Sequence, residues 1–137
     1  MHKRFTHNVK VYYEDTDAGG VVYYANYLKF LERARTEALS DIGLSNLQIK
    51  RIFGALIVVK SCNIDFKKSA YLEDHLKIKS FIISNSKTSI LMDQMISRDK
   101  DVIINAKVQL VFINEKNKPV KIPEKILKCL KPFLSTN

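Results

Sequence analysis

Residues 12–42 read YYEDTDAGGVVYYANYLKFLERARTEALSDI, and the rest of the chain is organised around them. The stretch leaves a short apolar segment, crosses an acidic loop with paired glycines, and continues as a helix. From Tyr24 the apolar positions fall at Tyr27, Leu28, Leu31, Ala34, Ala38 and Ile42, a three-to-four spacing that predicts one buried stripe. Lys29, Arg33, Glu37 and Asp41 line the opposite side, with Arg33 and Glu37 spaced to pair. Gly43 stands where a C′ glycine ends a helix. The small Ala34 and Ala38 let a sheet come close, so the helix is expected to be wrapped rather than laid on a surface.

Outward from this stretch the chain reads as strands. Residues 5–13 alternate, with Phe5, Val9, Val11 and Tyr13 on one side and Asn8, Lys10 and Tyr12 on the other. After the helix come four more alternating segments. Leu56, Val58, Cys62, Ile64 and Phe66 mark the first, and Leu76 and Ile78 the second. Ile90, Met92 and Ile96 mark the third, blurred by Leu91 and Met95. Val102, Ile104, Ala106, Val108, Leu110 and Phe112 form the longest clean register. Residues 98–101 suit a hairpin turn, and Pro123 opens a short terminal helix over residues 124–131. The expected fold class is α+β: five antiparallel strands, the last four in a meander, curled around one long central helix. Residues 1–137 are expected to form a single domain.

With 46% hydrophobic and 27% charged residues, the composition is that of a globular protein. No apolar run reaches the ~18 residues of a membrane span, and the first residues, MHKRFTHNVKV, lack a secretory apolar core. A cytoplasmic location is expected. Cys62 and Cys129 have no metal-site spacing and are read as buried small hydrophobes. The net charge of +9 suits nucleic acid, an anionic membrane or a polyanionic small molecule, and equally a surface of solvated lysines. Nucleic acid has only charge in its favour, because no helix-turn-helix, zinc spacing or aromatic-basic pattern accompanies it.

Three chemistries compete for Asp15 and Asp17. A calcium loop of the EF-hand type fails, because its fifth position is Gly19 and its twelfth is Asn26. A phosphoryl-transfer aspartate requires alternating strands and helices, whereas strands alone follow this helix. Attack on an activated acyl group fits: a carboxylate beside a helix N-terminus can serve as nucleophile or as base for water. The helix N–H groups would stabilise the oxyanion. This chemistry asks for no metal and no histidine, and His2, His7 and His75 lie far off and are read as surface residues. An acidic turn that merely caps the helix meets the same spacing, and the residues alone leave both readings open.

The run VYYEDTDAGGVVYYANYLKFLERARTEAL resembles the signature of the 4-hydroxybenzoyl-CoA thioesterase-type hot-dog proteins. Within them it is most similar to the YbgC-type acyl-CoA thioesterases associated with the Tol–Pal envelope system. Weaker similarity continues through SCNIDFKKSAYLED and the turn SKTS, covering roughly residues 5–130. The resemblance implies a hot-dog fold and hydrolysis of a small or medium acyl-CoA to free acid and coenzyme A. It places the catalytic carboxylate at Asp17, the carbonyl-polarising backbone N–H at Tyr24, and the glycine turn at Gly19 and Gly20. Tyr24 is a departure, since many YbgC-type members carry His there; a backbone donor survives the exchange, a His side-chain role does not.

The resemblance also implies that coenzyme A lies across a subunit interface with its phosphates near Ser86, Lys87, Thr88 and Ser89. It implies homodimers formed by edge-strand pairing, often doubled to homotetramers, and no cofactor, coenzyme A being part of the substrate. The alternative of a different class is a non-catalytic module that binds acyl-CoA or an acidic acyl-carrier protein near envelope-lipid synthesis.

Overall fold

The computed structural model describes residues 3–134. Strand β1 (Phe5–Lys10) leads through a 3-10 turn, Tyr13–Asp15, and the glycine loop into helix α1 (Asn26–Asp41). A second helix, α2 (Asn46–Phe53), precedes strands β2 (Leu56–Phe66), β3 (His75–Asn85), β4 (Ser89–Arg98) and β5 (Asp101–Ile113). Helix α3 (Glu124–Leu130) follows. The strands form one antiparallel sheet in the order β1-β3-β4-β5-β2.

The meander holds for β3, β4 and β5, whereas β2 crosses the sheet and pairs with the far side of β5. Alternation along a strand records which residues face the core and says nothing of which neighbour it pairs with, so this placement was not in the pattern. Helix α2 is also new. Only Ile49 of its eight residues is buried, too little to write a helical period.

Helix α1 has 16 residues, about 24 Å at 1.5 Å per residue, and ends at Gly43, whose φ of +81° costs a glycine little. Its buried face is Asn26, Tyr27, Phe30, Leu31, Ala34 and Ala38. Leu28, expected inside, is 47% exposed, and Phe30 takes its place at 0%. Tyr27 sets the phase, and Phe30 at i+3 lies on its face while Leu28 is turned away. No Arg33–Glu37 ion pair forms among the described residues. Beneath α1 lie Leu76, Ile78 and Ile82 of β3, Ile90, Met92 and Ile96 of β4, and Ile104, Ala106, Val108 and Phe112 of β5.

Gln94 interrupts this apolar layer at 0% exposure and is fully engaged. Its amide nitrogen donates to Leu31 O (3.1 Å) and Ser80 Oγ (2.9 Å), and its oxygen accepts from Arg35 Nη1 (2.9 Å). A satisfied polar bridge of this kind fixes the helix on the sheet at one register.

Strand β2 departs most from expectation. Leu56, Val58 and Phe66 are exposed, and Cys62, read as a buried hydrophobe, is exposed too. Helix α1 packs over β1 and β3 instead, and among the described residues no strand pairs with the outer edge of β2. Cys129 is half-buried. His75 is exposed and His7 half-buried, while His2 lies outside the described residues. Among the described residues no helix is long and apolar enough to cross a membrane.

The Phe30 ring is the largest side chain that α1 buries completely. Phe30→Ala is expected to cost about 3–5 kcal/mol of unfolding free energy, read by urea titration. A loss under about 1 kcal/mol would place the ring outside the core.

Candidate active site

The glycine loop is a small hairpin. Thr16 bridges Val22, Asp17 N donates to Val21 O (2.9 Å), and Gly20 N donates to Asp17 O (3.0 Å). Gly20 takes φ +79°, which excludes most side chains. Gly19 serves differently: a Cβ there would stand 3.3 Å from Asp17 Oδ1, tight enough to push the carboxylate aside. Instead the Gly19 N–H donates to that oxygen at 2.8 Å. The Asp17 side chain is exposed, and its second oxygen, Oδ2, has no hydrogen-bond partner among the described residues.

Asp15 is the opposite of Asp17. It is 7% exposed, and its carboxylate accepts the Tyr12 N–H (2.9 Å). Its backbone carbonyl accepts twice, from Tyr23 N (2.9 Å) and from the buried Asn26 side-chain amide (2.9 Å). The loop is thus fastened to the first residues of α1. Asn26 and the Asp15 carbonyl are parts of the site that the sequence did not single out. The cue available was an Asn in the first helical turn, where a short polar side chain reaches backbone.

The entry to α1 is tight. Asn26 N donates to Tyr23 O, Tyr27 N to Tyr24 O and Leu28 N to Ala25 O. The N–H groups of Tyr24 and Ala25 have no acceptor among the described residues. The regular helix begins at Asn26, so Tyr24 lies in the turn that leads into it. Its ring packs edge-on to Phe66, the last residue of β2, at 6.2 Å, and lies 5.0 Å from the Tyr23 ring.

A second loop braces the first. Val22 N donates to Ala70 O (2.9 Å), and Ala70 N donates to the Tyr27 hydroxyl (3.0 Å). Arg98 holds the same loop by an ion pair to Asp74 (2.7 Å) and a bond to Ser69 O (3.0 Å), with its guanidinium over the Tyr71 ring. The Asp74 hydrogen bond, chiefly, raises the Arg98 pKa.

Asp17, Gly19 and Gly20 thus share one hairpin, which Asp15 fastens to the turn that carries Tyr24. Ser86, Lys87, Thr88 and Ser89 lie apart from them. They form the turn between β3 and β4, at the far end of the 11-residue β3, some 33 Å away at about 3.3 Å per residue. Inside that turn the Ser86 hydroxyl is already used: it meets Ser89 Oγ at 2.6 Å and accepts from Thr88 N and Ser89 N. Lys87 is exposed, and no ion pair holds it among the described residues. No group of three or more His, Cys, Asp or Glu side chains placed to hold a metal ion occurs among the described residues.

A brace around one exposed carboxylate and a helix start can be compared with known proteins. Residues 11–130 match the family model of the thioesterase-like superfamily. The chain belongs to that superfamily. Among thioesterase-like relatives, the acyl-CoA thioesterase YbgC of Haemophilus influenzae is 37% identical over 89% of this chain and 90% of its own. The acyl-CoA thioester hydrolase YbgC of Escherichia coli is 40% identical over 87% and 90%. The crystal structure of a 1,4-dihydroxy-2-naphthoyl-CoA thioesterase from Synechocystis superposes with a TM-score of 0.86 at 26% identity, covering 94% of this chain and 96% of that one. The five-stranded sheet with its packed helices is the hot-dog arrangement of this thioesterase-like superfamily.

Burial, chiefly, raises the Tyr27 pKa above 10.0, against the lowering effect of the Ala70 hydrogen bond. The folded value lies above the unfolded one, so the stability this phenol contributes is whole below pH 10 and is lost as pH rises through the folded pKa. Urea unfolding from about pH 8 to about 11 should show stability falling at the alkaline end. Tyr27→Phe should flatten that fall and cost about 1–3 kcal/mol at neutral pH, because the Ala70 N–H loses its acceptor. An unchanged alkaline slope in the variant would contradict the assignment.

Proposed function

We propose that this chain is an acyl-CoA thioesterase in which Asp17 drives attack on a thioester carbonyl held by the Tyr24 N–H. Superfamily membership and the YbgC relatives support the reaction and the substrate class. One observation carries the residue roles. An exposed carboxylate, propped by Gly19 and fastened through Asp15, sits in the loop leading to a Tyr24 N–H that has no acceptor among the described residues.

The thioester oxygen takes the empty place at the Tyr24 N–H, where negative charge develops as the tetrahedral centre forms. A single donor of this kind is worth about 10²–10³ in kcat. Asp17 has two routes. As nucleophile, its free oxygen attacks the carbonyl carbon, the C–S bond breaks, and coenzyme A leaves as a thiolate that takes a proton from solvent. Water then cleaves the mixed anhydride, releasing the acid and restoring the carboxylate. As general base, Asp17 removes a proton from a water that attacks directly. Heavy-oxygen label appearing in Asp17 after one turnover in labelled water marks the first route, with water attacking the Asp17 carbonyl of the anhydride; label in the released acid alone is common to both routes.

The working unit is a homodimer. Strand β2 presents an 11-residue outer edge with Leu56, Val58, Val59 and Phe66 exposed, the kind of edge that proteins cover. Antiparallel pairing with the same strand of a second copy is self-complementary, as a two-fold axis requires. It runs Phe66 of one chain toward Leu56 of the other, so the far end of one sheet arrives beside the catalytic end of its partner. The Ser86–Ser89 turn of the partner then comes to the Asp17 end, where coenzyme A needs it. A purely binding module has no use for an unengaged carboxylate oxygen beside an open N–H.

Asp17→Asn is expected to lower kcat by about 10²–10⁴, while the urea midpoint and coenzyme A affinity stay at wild-type values. Turnover near normal across a panel of acyl-CoAs would remove Asp17 from the reaction.

A further inference from the structure

Arg98 is the last residue of β4, and it stands beyond the pairing of that strand with β3, which begins with Lys77 opposite Ser97. Its guanidinium therefore reaches past the sheet, to residues 69–74 in the connection from β2 to β3. Nη1 carries two N–H groups, and two acceptors meet it there: Ser69 O at 3.0 Å and Asp74 Oδ2 at 2.7 Å. The plane of the group lies over the Tyr71 ring, 5.6 Å from its centre. On the other side Nη2 stands 4.0 Å from Asp101 Oδ2. The side chain is 23% exposed, so these charge-assisted bonds are partly sheltered from water.

Residues 69–74 are a seat for the acidic hairpin. Asp74 Oδ2 also accepts the Tyr71 N–H (2.8 Å), so one oxygen closes the turn at residues 71–74 and meets the guanidinium. Ala70, at 0% exposure, accepts the Val22 N–H (2.9 Å) and donates to the Tyr27 hydroxyl (3.0 Å). Tyr71 bridges Val21, and Val21 O accepts the Asp17 N–H (2.9 Å). The path from Arg98 to the Asp17 backbone thus runs through Ser69 and Ala70, then Val22 and Val21. A second ionic tie of this loop, Lys68 to Asp101, joins groups that are 55% and 51% exposed. Such a pair adds little.

We infer that Arg98 is a positioning residue for thioester hydrolysis, its guanidinium fixing residues 69–74 so that the hairpin seated on them aims the Asp17 carboxylate. This rests on the thioesterase reading and on the place of Asp17 in it. The Asp17 side chain is exposed and held by the Gly19 N–H alone among the described residues, so its aim depends on where the hairpin lies. A misplacement of about 1 Å caused from a distance can cost about 10²-fold in rate. A planar fork bonded to two acceptors and stacked on a ring fixes the seat more closely than an ammonium on a flexible stem. A role in stability alone would act on the whole fold and be blind to the carboxylate at 17.

The test uses the full-length chain and a panel of acyl-CoAs from acetyl to lauroyl. With the best substrate, Arg98→Gln is expected to lower kcat by about 10- to 100-fold with KM unchanged. Lys68→Ala, which removes a cation from the same loop, is expected to keep the wild-type kcat. The deciding measurement is a double-mutant cycle with Asp17→Asn. In that background Arg98→Gln is expected to cause no further loss, because the group it positions is gone. The same loss in both backgrounds, an unchanged kcat, a rise in KM alone, or an equal loss in Lys68→Ala overturns the inference while the thioesterase stands. Where Arg98→Gln shows no urea transition, Asp74→Asn takes its place. That variant keeps an acceptor for the Tyr71 N–H and removes the charge that Arg98 meets, and full kcat in it overturns the inference. Wild-type failure across the panel overturns the underlying reading and this one with it.

Discussion

The backbone carbonyl of Asp15 holds this site together. It accepts the Tyr23 N–H and the Asn26 side-chain amide, both at 2.9 Å, and so joins the acidic loop to the turn that opens α1. Without that junction residues 16–22 would be held only through Val21 and Val22 to residues 70–71, and ordering the loop anew for each substrate would cost conformational entropy. With it, the carboxylate at 17 and the open N–H at 24 are set by the same atom. The two aspartates of the loop divide the labour. The buried one organises backbone, and the exposed one is left with an unengaged oxygen.

In the proposed thioesterase, the second constraint is the distance between the acidic loop and the Ser86–Ser89 turn. The acidic loop stands at the end of the sheet where β2 finishes and β3 begins, and Lys87 stands where β2 begins and β4 starts. Strand length separates them. In the proposed dimer, pairing the edge of β2 hides the exposed Leu56, Val58 and Phe66.

Much of the fold was legible because alternation and helical spacing report burial directly. The registers of β3 and β5, the end of α1 at Gly43 and the hairpin at residues 98–101 all stand as read. The misreadings share a cause, which is that burial depends on neighbours a local pattern does not name. Leu28 gave way to Phe30 because the helix phase is set by where the sheet lies. The apolar residues of β2 were taken as core, yet Leu56, Val58 and Phe66 are exposed, and only Ile57 and Ile64 pack partly against the core. Cys62 follows its strand outward. At the loop, residue type and spacing left a reacting carboxylate and a capping turn both open, and only the resemblance singled out Asp17 and Tyr24. Asn26 was not legible, because its partner is a main-chain carbonyl, and main-chain atoms leave no mark on composition.

The account turns on where a thioester carbonyl sits relative to two groups of the same loop and helix start. A crystal structure with a non-hydrolysable butyryl-CoA analogue, its sulfur separated from the carbonyl by one methylene, reads this directly. The carbonyl oxygen is predicted within about 2.7–3.1 Å of the Tyr24 nitrogen, with the free Asp17 oxygen about 3–3.5 Å from the carbonyl carbon. A carbonyl bound away from Tyr24, or an Asp17 side chain turned from it, would contradict the account.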